Sequence, residues 1–217
     1  MTAAAGAKLD GPRWGPKTAP VRQLVVLCHG VGADGHDLID LGPQWAAALP
    51  HATFAAPDGP EPCDLGPTGR QWFSLQDRTP AVLERGVAVA ARALDAFIDA
   101  ELARLGLPAE AYALMGFSQG AMTALYAGLR RTVPPRAILA FSGALLAADA
   151  ATTTRPPVLL VHGLTDAVVP VERSRLAQST LLAAGFAVEA LYCPGLGHGI
   201  DAAGLSAAAI FLQRGFA

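Results

Sequence analysis

Short, almost uninterrupted apolar runs recur along this chain at Gln23 to Cys28, Ala111 to Met115, Ala137 to Phe141, Val158 to Val161 and Val188 to Cys193. A strand that is apolar at successive residues has no face to give to water, so it must be covered on both sides. Thr53 to Ala56 adds a further short strand, ended by Pro57. Between these runs the apolar spacing changes to three and four. Leu38, Leu41, Trp45 and Leu49 form one helical stripe over Asp37 to Leu49. Leu83, Val87, Leu94, Ile98, Leu102 and Leu105 form another over Ala81 to Leu105, with Arg85, Arg92, Asp95 and Asp99 opposite and Gly106 and Pro108 as the stop. Gln119 to Arg131, Val171 to Ala184 and Asp201 to Arg214 complete the helices, the last with Asp201 as its N-cap. Strands alternating with helices in this way predict an α/β class fold, a mostly parallel doubly wound sheet with helices on both faces.

The 217 residues suit one domain, expected to span residues 1–217 with an irregular N-terminal segment over 1–20. Asp58 to Pro80 is rich in Pro and Gly, has no steady period and reads as one long loop. With 16 Lys plus Arg against 18 Asp plus Glu, the net charge of −2 gives no field for gripping phosphate backbones, which argues against a nucleic-acid partner. No apolar run approaches the roughly 20 residues that span a bilayer, and stable membrane attachment is not expected. Met1 to Pro20 lacks the apolar core of a secretory signal, so a cytoplasmic address is expected. Cys28, Cys63 and Cys193 are odd in number and irregularly spaced, suggesting neither a disulfide framework nor a zinc site.

The chemistry begins at Gly116-Phe117-Ser118-Gln119-Gly120, which follows one apolar strand and opens a helix. A serine on such a turn is lifted above the sheet edge, and the two glycines remove side chains that would collide there. The N–H of Gln119, at the helix start, is free to donate to an anion. A hydroxyl at neutral pH needs a base and a group that orients the base. Asp166 follows the strand Val158 to Val161, and His198 stands in the glycine-rich loop after Val188 to Cys193. The order Ser118, Asp166, His198 is that of α/β-hydrolases, and all three lie beyond carboxyl ends of parallel strands. Asp166 could instead cap a helix starting near Pro170; His162 could compete as base but is read as packing or bonding the loop backbone. Ser142 reads as a turn serine. Val31, in the turn-rich His29 to Gly35, is the candidate for a second backbone donor to an oxyanion. The glycines there explain a turn better than His29, His36, Asp34 and Asp37 explain a metal site, so neither metal nor cofactor is expected.

Four segments together resemble the phospholipase/carboxylesterase family, which includes bacterial carboxylesterases and acyl-protein thioesterases. They are Cys28 to Gly35, Gly116 to Ala121, Gly163 to Pro170 and Gly197 to Ile200. The resemblance covers roughly Val21 to Arg214 and implies an α/β-hydrolase fold. It puts Ser118, Asp166 and His198 on the triad and Val31 and Gln119 on the oxyanion hole. Trp72-Phe73 resembles the family's Trp-Phe beside the acyl pocket; Ser74 stands where many members have Asp, and Gly199 where a larger residue is common, departures that bear on substrate choice. Leu65, Trp72, Phe73 and Leu75 are then expected to line the pocket, Trp72 and Phe73 equally serving as loop anchors, with Leu164, Val168 and Leu196 on the other side. The expected function is a serine carboxylesterase acting on small to medium-chain, small-molecule esters. An acyl thioesterase, a lysophospholipase and a non-catalytic binding protein on the same scaffold are the alternatives. A homodimer is left open.

Overall fold

The computed structural model describes residues 8–147 and 154–217. In chain order its elements are β1 (Arg13–Trp14), β2 (Gln23–Cys28), α1 (His36–Ile39), α2 (Leu41–Trp45), β3 (Ala52–Ala55), β4 (Glu61–Pro62), β5 (Arg70–Gln71) and α3 (Pro80–Leu105). Then come β6 (Tyr112–Phe117), α4 (Gln119–Gly128), β7 (Ile138–Phe141), β8 (Val158–Gly163), α5 (Glu172–Ala183), β9 (Val188–Cys193) and α6 (Ala202–Phe216). Seven strands form one sheet in the order β1-β3-β2-β6-β7-β8-β9, parallel throughout except for β1.

The runs in β2, β6, β7 and β8 are buried on both faces, as their composition requires, whereas β9, at the edge of the sheet, is mostly half-buried with Glu189 exposed, a correction to the expectation for Val188 to Cys193. Val25 and Leu27 of β2 pack with Trp45 of α2 and with Phe211 and Leu212 of α6. Leu24, Val26 and Cys28 point the other way, toward Val87, Leu94 and Ile98 of α3. On that second face, beyond α4, Ile138 and Leu160 meet Leu125, Ala177 and Leu181. Each strand thus serves two cores, the period-2 consequence of the pleat. The structure has the doubly wound α/β-hydrolase architecture.

Three expectations are corrected. Residues 1–20 are not wholly irregular: β1 pairs antiparallel with β3, Arg13 opposite Ala55 and Trp14 opposite Phe54. Two residues carry no readable alternation; side chains hold this edge instead, Arg13 forking onto buried Glu101 at 2.7–3.1 Å and the Trp14 ring lying 5.9 Å from that of Phe54. The expected helix over 37–49 is two short ones, because Pro43 has no N–H to continue the ladder; its stripe of Leu38, Leu41, Trp45 and Leu49 is buried all the same. The segment 58–80 is not structureless, since β4 and β5 form a small antiparallel pair within it.

From β2 the chain steps outward to β3, then returns to β6 on the other side and runs on to β9. The carboxyl ends of β2 and β6 are therefore a topological switch point, where the loops of an open α/β sheet diverge and leave a crevice.

Candidate active site

Ser118 occupies that crevice. It joins β6 to α4 with φ 54° and ψ −117°, a left-handed conformation that a residue with a Cβ adopts only when its surroundings enforce it. The enforcement is local. The Ser118 N–H donates to the Phe141 carbonyl at 2.8 Å, and the backbone folds so closely that a Cβ on Gly116 would lie 2.3 Å from the Gly120 carbonyl. A Cβ on Gly120 would lie 2.0 Å from the carbonyl of Cys28, at the end of β2. Both glycines of the pentapeptide are thus required by backbone approach.

Asp166 follows β8 in a tight turn. Its Oδ1 accepts the N–H groups of Val168 and Val169, each at 2.9 Å. It does not cap a helix: α5 starts at Glu172, and Val171 is the residue before it. The loop after β9 is drawn onto this turn. Leu164 N–H donates to the Cys193 carbonyl at 2.9 Å, and Thr165 donates to the Leu196 carbonyl through both N–H, at 3.0 Å, and hydroxyl, at 2.8 Å. Only glycine fits at 163, where a Cβ would lie 2.3 Å from the carbonyls of Leu196 and Gly197.

This contact brings His198 between the other two residues. Its Nδ1–H donates to Asp166 Oδ2 at 2.7 Å, the tautomer following from a carboxylate that can only accept. Its Nε2 lies 3.0 Å from Ser118 Oγ, so the hydroxyl donates to it. The Phe117 ring packs at 4.9 Å from the imidazole and limits its swing. Burial opposes ionisation of Asp166, but the hydrogen bond from His198 and those from Val169 and Val168 outweigh it and hold the carboxyl below its ordinary range. His162 faces elsewhere, with Nε2 at 2.8 Å from the Val169 carbonyl and 3.2 Å from Asp166 Oδ2.

Val31 follows β2 and Gln119 opens α4. Among the described residues neither backbone N–H has an acceptor within the protein. The segment around Val31 is held from three sides. Gly32 N–H donates to the Arg70 carbonyl and Arg70 N–H to the Ala33 carbonyl, each at 2.8 Å, tying it to β5. Beneath it the buried His29 donates Nδ1–H to the Gly30 carbonyl at 2.7 Å and accepts the Gly59 N–H on Nε2 at 2.8 Å. Burial disfavours the charged imidazole and lowers its pKa, so His29 stays neutral and keeps both bonds. Asp34 and Asp58 accept the N–H groups of His36 and Gly35, turn-making contacts in the region weighed as a metal cluster.

The Gln119 side chain has its own task, which the sequence did not disclose. Its Oε1 accepts the Trp72 N–H at 2.9 Å and its Nε2 donates to the Phe73 carbonyl at 2.6 Å. Trp72 also donates its indole N–H to the His29 carbonyl at 2.9 Å. Trp72 and Phe73 are buried, so they anchor the segment after β5 to the Ser118 turn, and Leu75 packs half-buried against the same core. Leu65, Leu164 and Val168 are exposed at 50%, 38% and 65%, while Leu196 is half-buried. Ser142, with φ 48°, is buried just beyond β7, and among the described residues no helix follows it before β8. Phe117 and the Gln119 side chain were legible only as the variable positions of the pentapeptide; what they touch depends on the fold.

The family model for phospholipase/carboxylesterase matches residues 12–215. The chain is 31% identical over 182 residues to esterase YpfH of Escherichia coli (strain K12), covering 84% of this chain and 78% of that one. It is 28% identical to acyl-protein thioesterase 1 of Gibberella zeae, covering 92% and 93%. Among solved structures, esterase PE8 superposes with a TM-score of 0.90 at 41% identity, covering 95% of this chain and 99% of that one. The chain therefore belongs to the phospholipase/carboxylesterase family, carboxylic ester hydrolases built on the α/β-hydrolase fold.

Proposed function

We propose that the chain hydrolyses small to medium-chain carboxylic esters, with Ser118 as nucleophile, His198 as general base and then acid, and Asp166 as the group that orients and supports the imidazole. One observation carries the reading: an unbroken line of hydrogen bonds from Ser118 Oγ through His198, at 3.0 Å and 2.7 Å, to a carboxylate held ionised by its surroundings. Ser118 Oγ attacks the ester carbonyl carbon while its proton passes to His198 Nε2. The resulting oxyanion accepts the N–H groups of Val31 and Gln119, each donor being worth about 10² to 10³ in rate. As the C–O bond to the alcohol breaks, His198 returns the proton to the departing oxygen, leaving an acyl-Ser118 ester. Water then gives a proton to His198 and attacks the acyl carbon; the collapse that frees the acid returns that proton to Ser118. Leu65, Leu75, Leu164, Val168 and Leu196 supply the apolar contacts to the substrate, with Trp72 and Phe73 backing one wall.

The likeness to acyl-protein thioesterase 1 over 92% of the chain supports a second substrate class, thioesters, which the same three residues would attack in the same way. Both readings predict that Ser118→Ala lowers turnover by about 10⁶ and abolishes labelling by a fluorophosphonate. A Ser118→Ala protein that keeps near wild-type rate would end both. Rates on p-nitrophenyl esters of graded chain length against an acyl-CoA and a lysophospholipid rank the substrate classes.

A further inference from the structure

Gly30 lies against the proposed nucleophile: a Cβ built on it would stand 3.5 Å from Ser118 Cβ and 3.2 Å from the Phe117 ring. The peptide unit that joins Gly30 to Val31 therefore borders the site. Its N–H is the proposed oxyanion donor of Val31, and its oxygen, the Gly30 carbonyl, accepts Nδ1–H of the fully buried His29 at 2.7 Å. We propose that His29 is a positioning residue: by holding the Gly30 carbonyl it sets the plane of the Gly30–Val31 peptide, and so the aim of the Val31 N–H. This role rests on those proposed for Ser118 and Val31.

A peptide unit is planar, and with no cis bond among the described residues its N–H and C=O point in opposite directions. Holding the oxygen therefore aims the hydrogen. The Ala33 N–H reaches the same oxygen at 3.3 Å, a longer bond, while the bonds to Arg70 involve the Gly32 N–H and the Ala33 carbonyl, which belong to other peptide units. Gly30 has no side chain to restrict rotation about its Cα–C bond, one of the two bonds about which this peptide turns. Restraint of the peptide thus falls chiefly to the imidazole. A carbonyl that accepts a hydrogen bond is also polarised, which makes the N–H of its own peptide a stronger donor.

The ring is itself fixed. Nε2 accepts the Gly59 N–H at 2.8 Å and so carries a lone pair, while Nδ1, facing a carbonyl, carries the hydrogen. Both bonds require the neutral ring, which burial favours. Gly59 is held in turn through its carbonyl by Arg70 Nε at 2.9 Å, and the Trp72 ring packs against the imidazole at 5.6 Å. The two nitrogens divide the work: Nδ1 aims the donor peptide, and Nε2 ties the ring to the segment between β3 and β4.

Three substitutions separate the two nitrogens. His29→Asn puts an amide donor where Nδ1 stands and lacks the distal acceptor; His29→Gln puts an amide oxygen near Nε2 and lacks the proximal donor; His29→Leu lacks both. On a p-nitrophenyl ester, His29→Leu is expected to lose about 10- to 100-fold in kcat, less than the about 10²- to 10³-fold for a whole donor, with KM changed by under about twofold because the donor acts in the transition state. Inhibition by a trifluoromethyl ketone, whose tetrahedral adduct carries the oxyanion, should weaken by the same factor. His29→Asn should regain most of the rate and His29→Gln should not. A folded His29→Leu protein with wild-type kcat overturns the proposal, as does a His29→Gln rate equal to or above that of His29→Asn, which would mark a packing role. Should the variants not fold, nitrogen-15 NMR of the wild-type protein at pH 7 decides: a neutral His29 with its hydrogen on Nδ1 supports the proposal, and a hydrogen on Nε2 overturns it. Ser118→Ala is assayed alongside, because turnover there would sink the triad reading itself, whereas an inert Ser118→Ala beside an unaffected His29→Leu sinks only the role of His29.

Discussion

Gly120→Ala is a one-methyl change with a large expected effect. The added Cβ would stand 2.0 Å from the Cys28 carbonyl oxygen, 2.4 Å from its carbon and 2.5 Å from the His29 carbonyl oxygen. All three are backbone atoms, so no rotamer change can relieve the clash. Reaching ordinary contact requires the start of α4 and the end of β2 to separate by about 1.4 Å. The first carries the Gln119 N–H and the second leads into Val31, so the separation opens the gap between the two proposed oxyanion donors. A misplacement of about 1 Å at reacting groups can cost about 10² in rate, and forced overpacking about 1–3 kcal/mol of stability. For a chain of this size that is a fall in Tm of roughly 2–12 °C, too small to unfold the protein at 25 °C. The assay is kcat on a p-nitrophenyl ester at 25 °C beside a thermal melt. Gly66→Ala serves as control, since a Cβ there meets nothing within 4 Å. A Gly120→Ala protein with wild-type kcat and Tm would refute the claim that backbone approach at this glycine sets the donor geometry.

Gln119→Ala should leave the buried Trp72 N–H and Phe73 carbonyl without partners, costing about 2–4 kcal/mol in urea unfolding and raising KM as the loop loosens; unchanged stability would mean the clasp is dispensable. Asp166→Asn should lower kcat by about 10⁴, because an amide can hold the wrong tautomer of His198. The Asp166 carboxyl is depressed in the folded state, so it binds its proton more weakly there than in the unfolded chain. Its contribution to stability is therefore full above the unfolded value near pH 4 and is lost as pH falls through the folded one. Urea titrations of wild type and Asp166→Asn should differ by a constant amount from pH 8 to 5 and converge below about pH 4; convergence already at pH 6 would contradict the depressed carboxyl.

The apolar runs predicted the parallel strands because burial on both faces leaves a composition signature that needs no partner to be recognised. The pentapeptide, Asp166 and His198 were legible for a similar reason: each follows directly from a strand, and strand ends in such sheets face one crevice. The pair β4–β5 and the edge strand β1 are two residues each, too short for alternation to register, and both depend on partners far along the chain. The clasp from Gln119 to Trp72 spans 47 residues and uses a backbone N–H, which every non-proline residue owns. His162 was legible as a residue bonding the loop backbone, but its partner, the Val169 carbonyl, was not, since that bond depends on the turn from Leu164 to Val169 curling back over β8.

The two kinds of contact at the site explain why one part of it was readable and another was not. Geometry at the proposed reacting residues is set by backbone against backbone: Gly120 on Cys28, and Gly163 on Leu196 and Gly197. Such contacts admit one residue type, so they print themselves on the sequence as glycines at fixed offsets from Ser118, Asp166 and His198. The apolar residues around them answer to no such constraint. Leu65 stands half exposed and Val168 more than half, and a different side chain at either position would leave the hydrogen bonds among Ser118, His198 and Asp166 in place. Substrate preference can therefore drift without disturbing the machinery, and for that physical reason the reaction class is written more firmly in this chain than the ester it acts upon.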